Sequence, residues 1–192
     1  MGKITYIDEA DLSNKRILLR VDYNVSLNDD HSKIADDARI SQSIPTIKYL
    51  LKNNNKLILV SHLDRPKTRD PKFSLKIVCD RLKSYLPGVK IRLIDDFLTE
   101  DKKIFEQQKE NEIYVLENIR FYLEEKNGDP EFSKRLASLA DVYVNDAFAV
   151  SHRPAASVIG IPQYIPSFGG LLLRKEIETI SKAIKDPEKP LV

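Results

Sequence analysis

The sequence is poor in the residues that build several common functional sites. It contains one cysteine, Cys79, so the chain cannot form an internal disulfide. Its six glycines form neither G-x-x-x-x-G-K nor G-x-G-x-x-G, which excludes both common glycine-rich phosphate loops. The chain has only three histidines, and its histidine, cysteine and acidic residues do not cluster at the spacing of zinc or calcium ligands. We therefore expect no metal site in this chain.

Neither sign of charge dominates the composition. Thirty-one basic and 29 acidic residues leave a net charge of +2, too small to attract nucleic acid or a membrane surface by bulk charge. Apolar runs all stay below the roughly 18 residues that a membrane span requires. The N-terminal residues MGKITYIDEADL include acids and no apolar signal-peptide segment. We therefore expect a cytoplasmic protein with neither nucleic-acid nor membrane partners.

Short apolar runs recur along the chain and predict β-strands. They are RILLRV, KLILVS, VKIRLI, EIYVLE and DVYVND, at residues 16–21, 56–61, 89–94, 112–117 and 141–146. Segments with helical spacing lie between these runs, which is typical of β-α-β units with parallel strands. The strands are almost continuously apolar, as expected of strands buried on both faces. The sequence therefore predicts an α/β fold with a doubly wound parallel β-sheet and helices on both faces.

Two apolar stripes at helical spacing define the first helices. One stripe spans residues 40–51 and the other spans residues 75–86. Cys79 lies on the second stripe, so we expect a buried structural thiol. Pro45 lies inside the first stripe, and we expect it to kink that helix or to delay its start, because proline disrupts a helix interior.

Terminal signals define two further helices. Asp129 and Pro130 have the chemistry of an N-cap and a first helical position. The segment LLLRKEIETISKAIKD, which follows Gly170, reads as another helix. Beyond it, Leu191 and Val192 resemble the first residues of a further apolar strand.

Polar and cationic side chains follow four of the five predicted strands. In open parallel sheets, ligands bind beyond the carboxyl ends of the strands. These ends carry Asp22, Asn24, His62, Arg65, Asn118, Arg120, Asn145, Asp146, His152 and Arg153. Arg39, in the first turn of the first helix, and the basic loop 64–72 add further cations. Guanidinium groups bind phosphate and carboxylate as a bidentate fork, so this edge predicts a site for a small, highly charged anion.

Single members of this set have structural alternatives. Each one alone could be a solvated surface charge or a capping group, and only their shared location argues otherwise. His62 could equally cap a loop. Arg20, inside the first strand, could be either an ion-pair partner or a ligand-binding group. His31 lies in the polar turn SLNDDHSK and is expected at the surface.

Four long motifs stand at successive strand ends: RVDYN, SHLDRP, ENIRFY and VNDAFAVSHR, at residues 20–24, 61–66, 117–122 and 144–153. Together they resemble the N-terminal half of phosphoglycerate kinase. The resemblance extends from Leu18 through the segment GGLLLRKEI, which is nearly the whole chain. Four long motifs in this order are far more specific than any one of them.

The resemblance implies a Rossmann-like α/β domain that binds 3-phosphoglycerate through a basic patch. Asp22 and Asn24 match contacts to the hydroxyl and carboxylate region of the substrate. Arg39 matches the arginine that reaches the transferring phosphoryl group, and it is the candidate catalytic residue. The other basic-patch positions are His62, Arg65, Arg120 and Arg153. The same motifs add to the expected substrate-binding set Tyr23, Leu63 and Asp64.

The implied reaction is reversible phosphoryl transfer between 1,3-bisphosphoglycerate and ADP, which gives 3-phosphoglycerate and ATP. We expect residues 1–170 to form the substrate-binding domain. Residues 171–192 are expected to form a helix and the start of a connection to a C-terminal nucleotide-binding domain, the expected partner. That domain would bind the magnesium nucleotide, so no cofactor site is expected in this chain. We expect a monomer that binds 3-phosphoglycerate but does not turn over alone, because in-line transfer needs both halves to close.

Two loops depart from the family pattern. Asp64 stands where the family usually has glycine, which introduces a carboxylate into the anion-binding loop and disfavours any positive φ there. We expect its side chain to point to solvent. Ala149, Val150 and Ser151 replace the usual Gly-Thr-Ala, which predicts a stiffer loop.

Two other functions compete with this interpretation. LLRVDYNVSL also resembles the start of haloacid-dehalogenase-type phosphatases, with Asp22 as nucleophile and Asp95 and Asp96 as metal ligands. Asn24 replaces the second acid of that motif, and the arginines are then unexplained. The other alternative is a non-catalytic module that binds polyanions or a partner through the loop 64–72.

Overall fold

A computed structural model describes residues 4–185, and all five predicted strands are present there. Each of the five differs from its predicted bounds by at most one residue at either end. In chain order, the strands of the described region are β1 (Arg16–Arg20), β2 (Ser26–Leu27), β3 (Ile34–Asp36), β4 (Lys56–Val60), β5 (Lys90–Ile94), β6 (Glu112–Leu116), β7 (Val142–Asn145) and β8 (Ser167–Gly169).

Six of these strands form one parallel sheet. Their order is β5-β6-β4-β1-β7-β8, and every pairing between neighbours is parallel. After β1, the chain forms β4, β5 and β6, which all lie on one side of β1. It then returns to the other side of β1 with β7 and β8. The order of strands therefore reverses beside β1, and a crevice opens beyond the carboxyl ends at such a point.

Alternating side chains of the strands bury two hydrophobic clusters, one on each face of the sheet. On β1, Ile17 and Leu19 belong to one cluster, whereas Leu18 belongs to the other. The first cluster includes apolar residues of the two helical stripes, and the second includes Phe105, Phe132 and other residues of later helices. The predicted α/β class and the coverage of both faces by helices are confirmed.

Among residues 4–185, α-helices occur at all four predicted places, together with two short α-helices. They are α1 (Ala38–Lys52), α2 (Lys76–Tyr85), α3 (Lys103–Glu106), α4 (Leu123–Asn127), α5 (Pro130–Ala137) and α6 (Leu171–Lys185). Asp129 caps α5, because its carboxylate accepts the N–H of Phe132 at 2.8 Å. Cys79 is buried in α2 as expected, and burial raises its thiol pKa to about 12.

The expected delay of α1 at Pro45 is wrong. The helix begins at Ala38 and continues through Pro45 to Lys52. Pro45 lies on the exposed face of the helix, whereas Ile44 and Ile47 on either side are buried. Packing of this apolar face therefore outweighs the one backbone hydrogen bond that the proline cannot donate.

Three short strands had no signal in the apolar pattern. β2 and β3 form an antiparallel hairpin, and its turn contains His31. β8 adds a sixth strand to the sheet, and it is only three residues long with a glycine at its end. Gly169 also bridges to Tyr6, and a Cβ there would lie 2.7 Å from the Tyr6 ring. Pairing with the existing edge of β7, rather than local propensity, creates this strand.

The last described helix is attached to the end of β7 through a buried carboxylate. Asp146 accepts the backbone N–H groups of Leu172 at 2.9 Å and Leu173 at 3.1 Å, at the start of α6. A Cβ on Gly170 would lie 2.1 Å from this carboxylate, so glycine is needed there. The division at residue 170 stays a prediction. The strand predicted at Leu191-Val192 lies outside the described residues.

Helices of the described region are too short or too polar to cross a bilayer.

Candidate functional site

Loops beyond the carboxyl ends of β1, β4, β6 and β7 enclose a cleft of about 740 Å³, which we call the arginine cleft. Six cationic residues line it, together with a single carboxylate, that of Glu125, among the described residues. The cations are Arg20, Arg65, Lys67, Arg120, Lys126 and Arg153. The structure thus brings together three of the predicted anion-binding arginines, along with Arg20, whose role the sequence left open.

His62 contacts Arg20 but does not itself line the arginine cleft, and it is only 2% exposed. Its Nδ1 is 3.2 Å from Nη2 of Arg20. A guanidinium can only donate, so Nδ1 accepts, and in the neutral ring the proton is on Nε2. The neighbouring carboxylate of Asp22 is 4.0 Å from Nδ1, too far for a hydrogen bond. Arg20 therefore sets the tautomer in which His62 offers an Nε2–H donor.

His62 is a neutral donor rather than a cation. Burial lowers its pKa from 6.5 to about 2, and the positive charges of Arg20, Arg120, Arg153 and Arg39 act in the same direction. The sequence suggested that histidine and arginine together supply positive charge. The arginines supply that charge, and they keep His62 uncharged because a further proton would be repelled.

The stability of the chain should depend on pH through His62. The unfolded ring gains a proton below about pH 6.5, whereas the folded ring stays neutral down to about pH 2. Stability is therefore lost as pH falls below 6.5, by about 1.4 kcal/mol per pH unit from this one residue. Urea unfolding of the chain and of His62→Asn between pH 7 and pH 5 measures the difference in slope. His152→Asn is the control, because His152 is exposed. Equal slopes for the chain and His62→Asn would contradict this prediction.

Arg120 and Arg153 lie close to other cations, and few carboxylates or hydrogen-bond acceptors offset their charge. The pKa of Arg120 is lowered to about 10, first by burial and then by Arg153, Arg20 and Arg65. Its Nη1 donates to the backbone carbonyl of Asp64. Nε of Arg153 is buried without a hydrogen-bond partner among the described residues. A bound anion would accept from the unpaired buried donor and would offset the repulsion between the guanidinium groups.

Asp22, Asn24 and Arg39 form a second group that does not line the arginine cleft. Arg39 donates to the Asp22 carboxylate, and the Arg39 side chain is 46% exposed. Asn24 accepts the N–H of Asp64 at 2.6 Å, so its side-chain amide N–H₂ group is the part left to meet a ligand. His62 connects the two groups, because its Nδ1 is 3.2 Å from Arg20 of the cleft and 4.0 Å from the carboxylate of Asp22.

Asp64 adopts the left-handed conformation that favours glycine, with φ of 54°. The positive φ that we expected to be disfavoured at this position does occur. The residue is exposed, and its carboxylate accepts the N–H of Arg65 at 2.8 Å. Aspartate tolerates this conformation better than most residues because its short side chain bonds the local backbone. The result is a negative charge beside Arg65 and Arg120.

Replacing Asp64 by asparagine should strengthen anion binding. Asparagine keeps the local acceptor and tolerates positive φ, but it removes a charge that repels an incoming anion. We expect sulfate to bind about two- to fivefold more tightly, as is typical of one exposed charge. NMR titration with sulfate measures this effect. Glu110→Gln is the matched control, because Glu110 lies before β6, at the opposite edge of the sheet. Unchanged affinity in Asp64→Asn would show that the carboxylate is fully screened.

Some of the predicted residues lie inside the fold. Tyr23 is completely buried, and its hydroxyl is 3.1 Å from Ser43 Oγ. Leu63 is 1% exposed, and its N–H and carbonyl both bond to Asn118. Their side chains therefore support the loops and do not face the arginine cleft. His152, from the same motif as Arg153, is exposed and does not line the cleft.

The phosphatase alternative needs Asp22, Asp95 and Asp96 at one metal. Asp22 bonds to Arg39, and Asp95 is exposed and pairs with Arg69. Asp96 accepts hydrogen bonds from Tyr122 and the loop around it. Within residues 4–185, no group of three or more histidine, cysteine or acidic side chains is arranged to hold a metal ion. The described residues therefore do not form the acidic centre that this alternative requires.

Three buried polar residues around the site had no distinctive signal in the sequence. Asn118 has the pattern of an ordinary strand-end residue, yet it is fully buried and links three loops. Glu125, in the acidic segment YLEEKN, has the pattern of a solvated helix face but is 4% exposed. Ser157 is fully buried against it. Only tertiary contacts distinguish these residues from surface polar ones.

The comparison with known protein families identifies the family of the chain. A profile described as phosphoglycerate kinase matches residues 7–192. The chain belongs to the phosphoglycerate kinase family. It represents an N-terminal domain of that family, as the four motifs predicted.

Individual relatives give the same result. The chain is 48% identical over 195 residues to the phosphoglycerate kinase of Dictyoglomus turgidum, covering 100% of this chain and 48% of that protein. It is 47% identical to the cytosolic phosphoglycerate kinase 3 of Arabidopsis thaliana, covering 96% of this chain and 46% of that protein. The structure of phosphoglycerate kinase from Coxiella burnetii matches with a TM-score of 0.85 and 34% identity, covering 98% of this chain and 47% of that one. The chain thus spans about half the length of the phosphoglycerate kinases that it matches.

Proposed function

We propose that this chain is the substrate-binding half of a cytoplasmic phosphoglycerate kinase, and that the arginine cleft and Asp22, Asn24 and Arg39 bind 3-phosphoglycerate. The proposal rests on one observation: six cations and one carboxylate line a cleft at the point where the strand order reverses. A ligand with two anionic ends would relieve the repulsion among these cations. Nε2–H of His62 would donate to the same ligand.

The arrangement suits phosphoryl transfer because this reaction needs alignment and positive charge more than a strong base. The arginines of the cleft and His62 would hold the substrate, and Asp22 and Asn24 would meet its hydroxyl and carboxylate region. Arg39 is separate from the cleft and exposed, so it can reach a phosphoryl group at the open side of the site. We propose that Arg39 stabilises the charge of the transferring phosphoryl group.

The magnesium nucleotide belongs, in this proposal, to a second domain outside this chain. The described residues provide no cluster of metal ligands, and the sequence contains no glycine-rich phosphate loop. Phosphoryl transfer requires both domains, because domain closure aligns the two substrates and excludes water. The chain alone, which we propose to be monomeric, would therefore bind 3-phosphoglycerate without turning over.

A chimera tests this function. In the chimera, this chain replaces the matching half of the Dictyoglomus turgidum relative. ATP formation from 1,3-bisphosphoglycerate and ADP is followed for the chimera, for the chain alone, and for a chimera carrying Arg153→Ala. We expect activity in the chimera, none in the chain alone, and a loss of about a hundredfold in kcat/KM with Arg153→Ala, as when a charged contact is removed. A folded but inactive chimera would contradict the proposal.

A further inference from the structure

A buried chain of hydrogen bonds connects Glu125 to His62. Glu125 Oε1 accepts from Ser157 Oγ at 2.6 Å, and Oε2 accepts from the Ser157 N–H at 2.8 Å. The Ser157 hydroxyl in turn accepts from Nε of Arg20 at 3.0 Å. Nη2 of Arg20 then donates to Nδ1 of His62 at 3.2 Å. We call these four residues the Glu125 relay, and each of them is at most 5% exposed.

The Glu125 relay joins loops that follow three different strands. Glu125 is in α4, a few residues beyond Arg120. Ser157 is in a π-helical turn, Ala156–Gly160, just beyond Arg153. Arg20 is the last residue of β1. Single π-helical turns are rare and occur frequently at functional sites. One carboxylate therefore links the segments that carry two of the cleft arginines to the strand end beneath them.

The position of Arg20 depends on this relay. Arg20 is 2% exposed, and no carboxylate of the described region lies within ion-pair distance of its guanidinium. Nη1 bonds only to the backbone carbonyls of Val21 and Val60. Burying a guanidinium without a counter-charge is unfavourable. The carboxylate of Glu125 stabilises the charge of Arg20 through the Ser157 hydroxyl that lies between them. Glu125 also favours the charged form of Arg120.

We propose that Glu125 is a positioning residue for the anion site: through Ser157 it holds Arg20, and Arg20 holds His62 with its proton on Nε2, facing the substrate. This inference rests on the proposed function and extends it. Without the relay, Arg20 would move away from Nδ1. The His62 ring would then share its proton between Nδ1, on the side of Asp22, and Nε2.

Two substitutions break the relay at different bonds. Glu125→Gln keeps the shape of the side chain but loses the charge and one acceptor, because an N–H₂ donor replaces one of the two carboxylate oxygens that accept from Ser157. Ser157→Ala removes the hydroxyl and keeps the backbone N–H bond to Glu125. It is the milder variant if Glu125→Gln fails to fold. Glu124→Gln is the control, since Glu124 is the exposed neighbour in α4.

The first measurement is the tautomer of His62 in the ligand-free chain, from long-range ¹H–¹⁵N NMR spectra. We expect a protonated Nε2 and an unprotonated Nδ1 in the chain and in Glu124→Gln. The ¹⁵N chemical shifts of Nδ1 and Nε2 should become more similar in Glu125→Gln and Ser157→Ala, because the two tautomers then exchange. Unfolding free energies are measured alongside. Lower stability with an unchanged His62 signature would reduce Glu125 to a structural residue and overturn the proposal.

The second measurement compares 3-phosphoglycerate with sulfate. Removing the Glu125 charge should by itself tighten the binding of any anion, whereas loss of positioning weakens only the ligand that needs His62 in place. We expect Glu125→Gln to bind 3-phosphoglycerate about tenfold more weakly, the size of one charge-assisted hydrogen bond, and sulfate no more weakly than before. Equal tightening of both anions would overturn the proposal. If the unchanged chain fails to bind 3-phosphoglycerate selectively, the proposed function fails, while the His62 tautomers still test the relay.

Discussion

Replacing Arg39 by alanine in the chimera should lower kcat by a factor of about 10³ and change the KM for 3-phosphoglycerate by less than about tenfold. The reason is the location of Arg39. It is outside the arginine cleft, in the first turn of α1, and its side chain is 46% exposed beside Asp22. An exposed cation outside the cleft that contributes little to ground-state binding can act mainly on the charge that develops during transfer.

Steady-state kinetics with varied 3-phosphoglycerate separate the two effects. Arg81→Ala is a close control, because Arg81 is also paired with an aspartate and its side chain is 47% exposed. We expect Arg81→Ala to leave kcat unchanged. Comparable losses in binding and in rate for Arg39→Ala would instead make Arg39 a substrate anchor.

Replacing Asn118 by alanine should lower the free energy of unfolding by about 3 kcal/mol, because several buried groups lose their partners at once. Asn118 Oδ1 accepts from the N–H of Leu63 at 3.3 Å and of Arg120 at 3.2 Å. Its Nδ2 donates to the carbonyls of Leu63 at 2.7 Å and Phe73 at 2.9 Å. These bonds hold the loops that carry His62 and Arg120, so anion affinity should fall as well.

Urea unfolding and thermal melting measure the loss, which corresponds to a decrease in Tm of roughly 6 to 12 °C for a chain of this size. Asn127→Ala is the control, since Asn127 is exposed at the end of α4. A change below about 1 kcal/mol in Asn118→Ala would mean that water replaces the side chain in these bonds.

The strands and the convergence of the arginines at the candidate site could be predicted because both follow from local patterns. Apolar runs such as RILLRV leave few alternatives to a buried strand. The carboxyl ends of parallel strands meet at one edge, so the arginines that follow β4, β6 and β7 had to converge there. By contrast, β8 has no apolar run and forms only because the edge of β7 is available.

The supporting residues of the site could not be predicted, because their roles depend on contacts distant in sequence. Ser157 bonds to Arg20 across 137 residues, and no local signal marks that pairing. The charge state of His62 is also non-local, since burial and the surrounding guanidinium groups determine its pKa together. Asp64 is intermediate: its departure from the family pattern was visible, whereas its φ of 54° required the structure.

Isothermal titration of the 192-residue chain with 3-phosphoglycerate tests the central claim most directly. The titration is run at two salt concentrations, with 2-phosphoglycerate and ATP as controls. We predict saturable one-to-one binding of 3-phosphoglycerate that is weakened by salt, much weaker binding of 2-phosphoglycerate, and no binding of ATP. Similar affinity for the three ligands would indicate a general polyanion site. No binding of 3-phosphoglycerate to the folded chain would contradict the claim that this domain alone forms the substrate site.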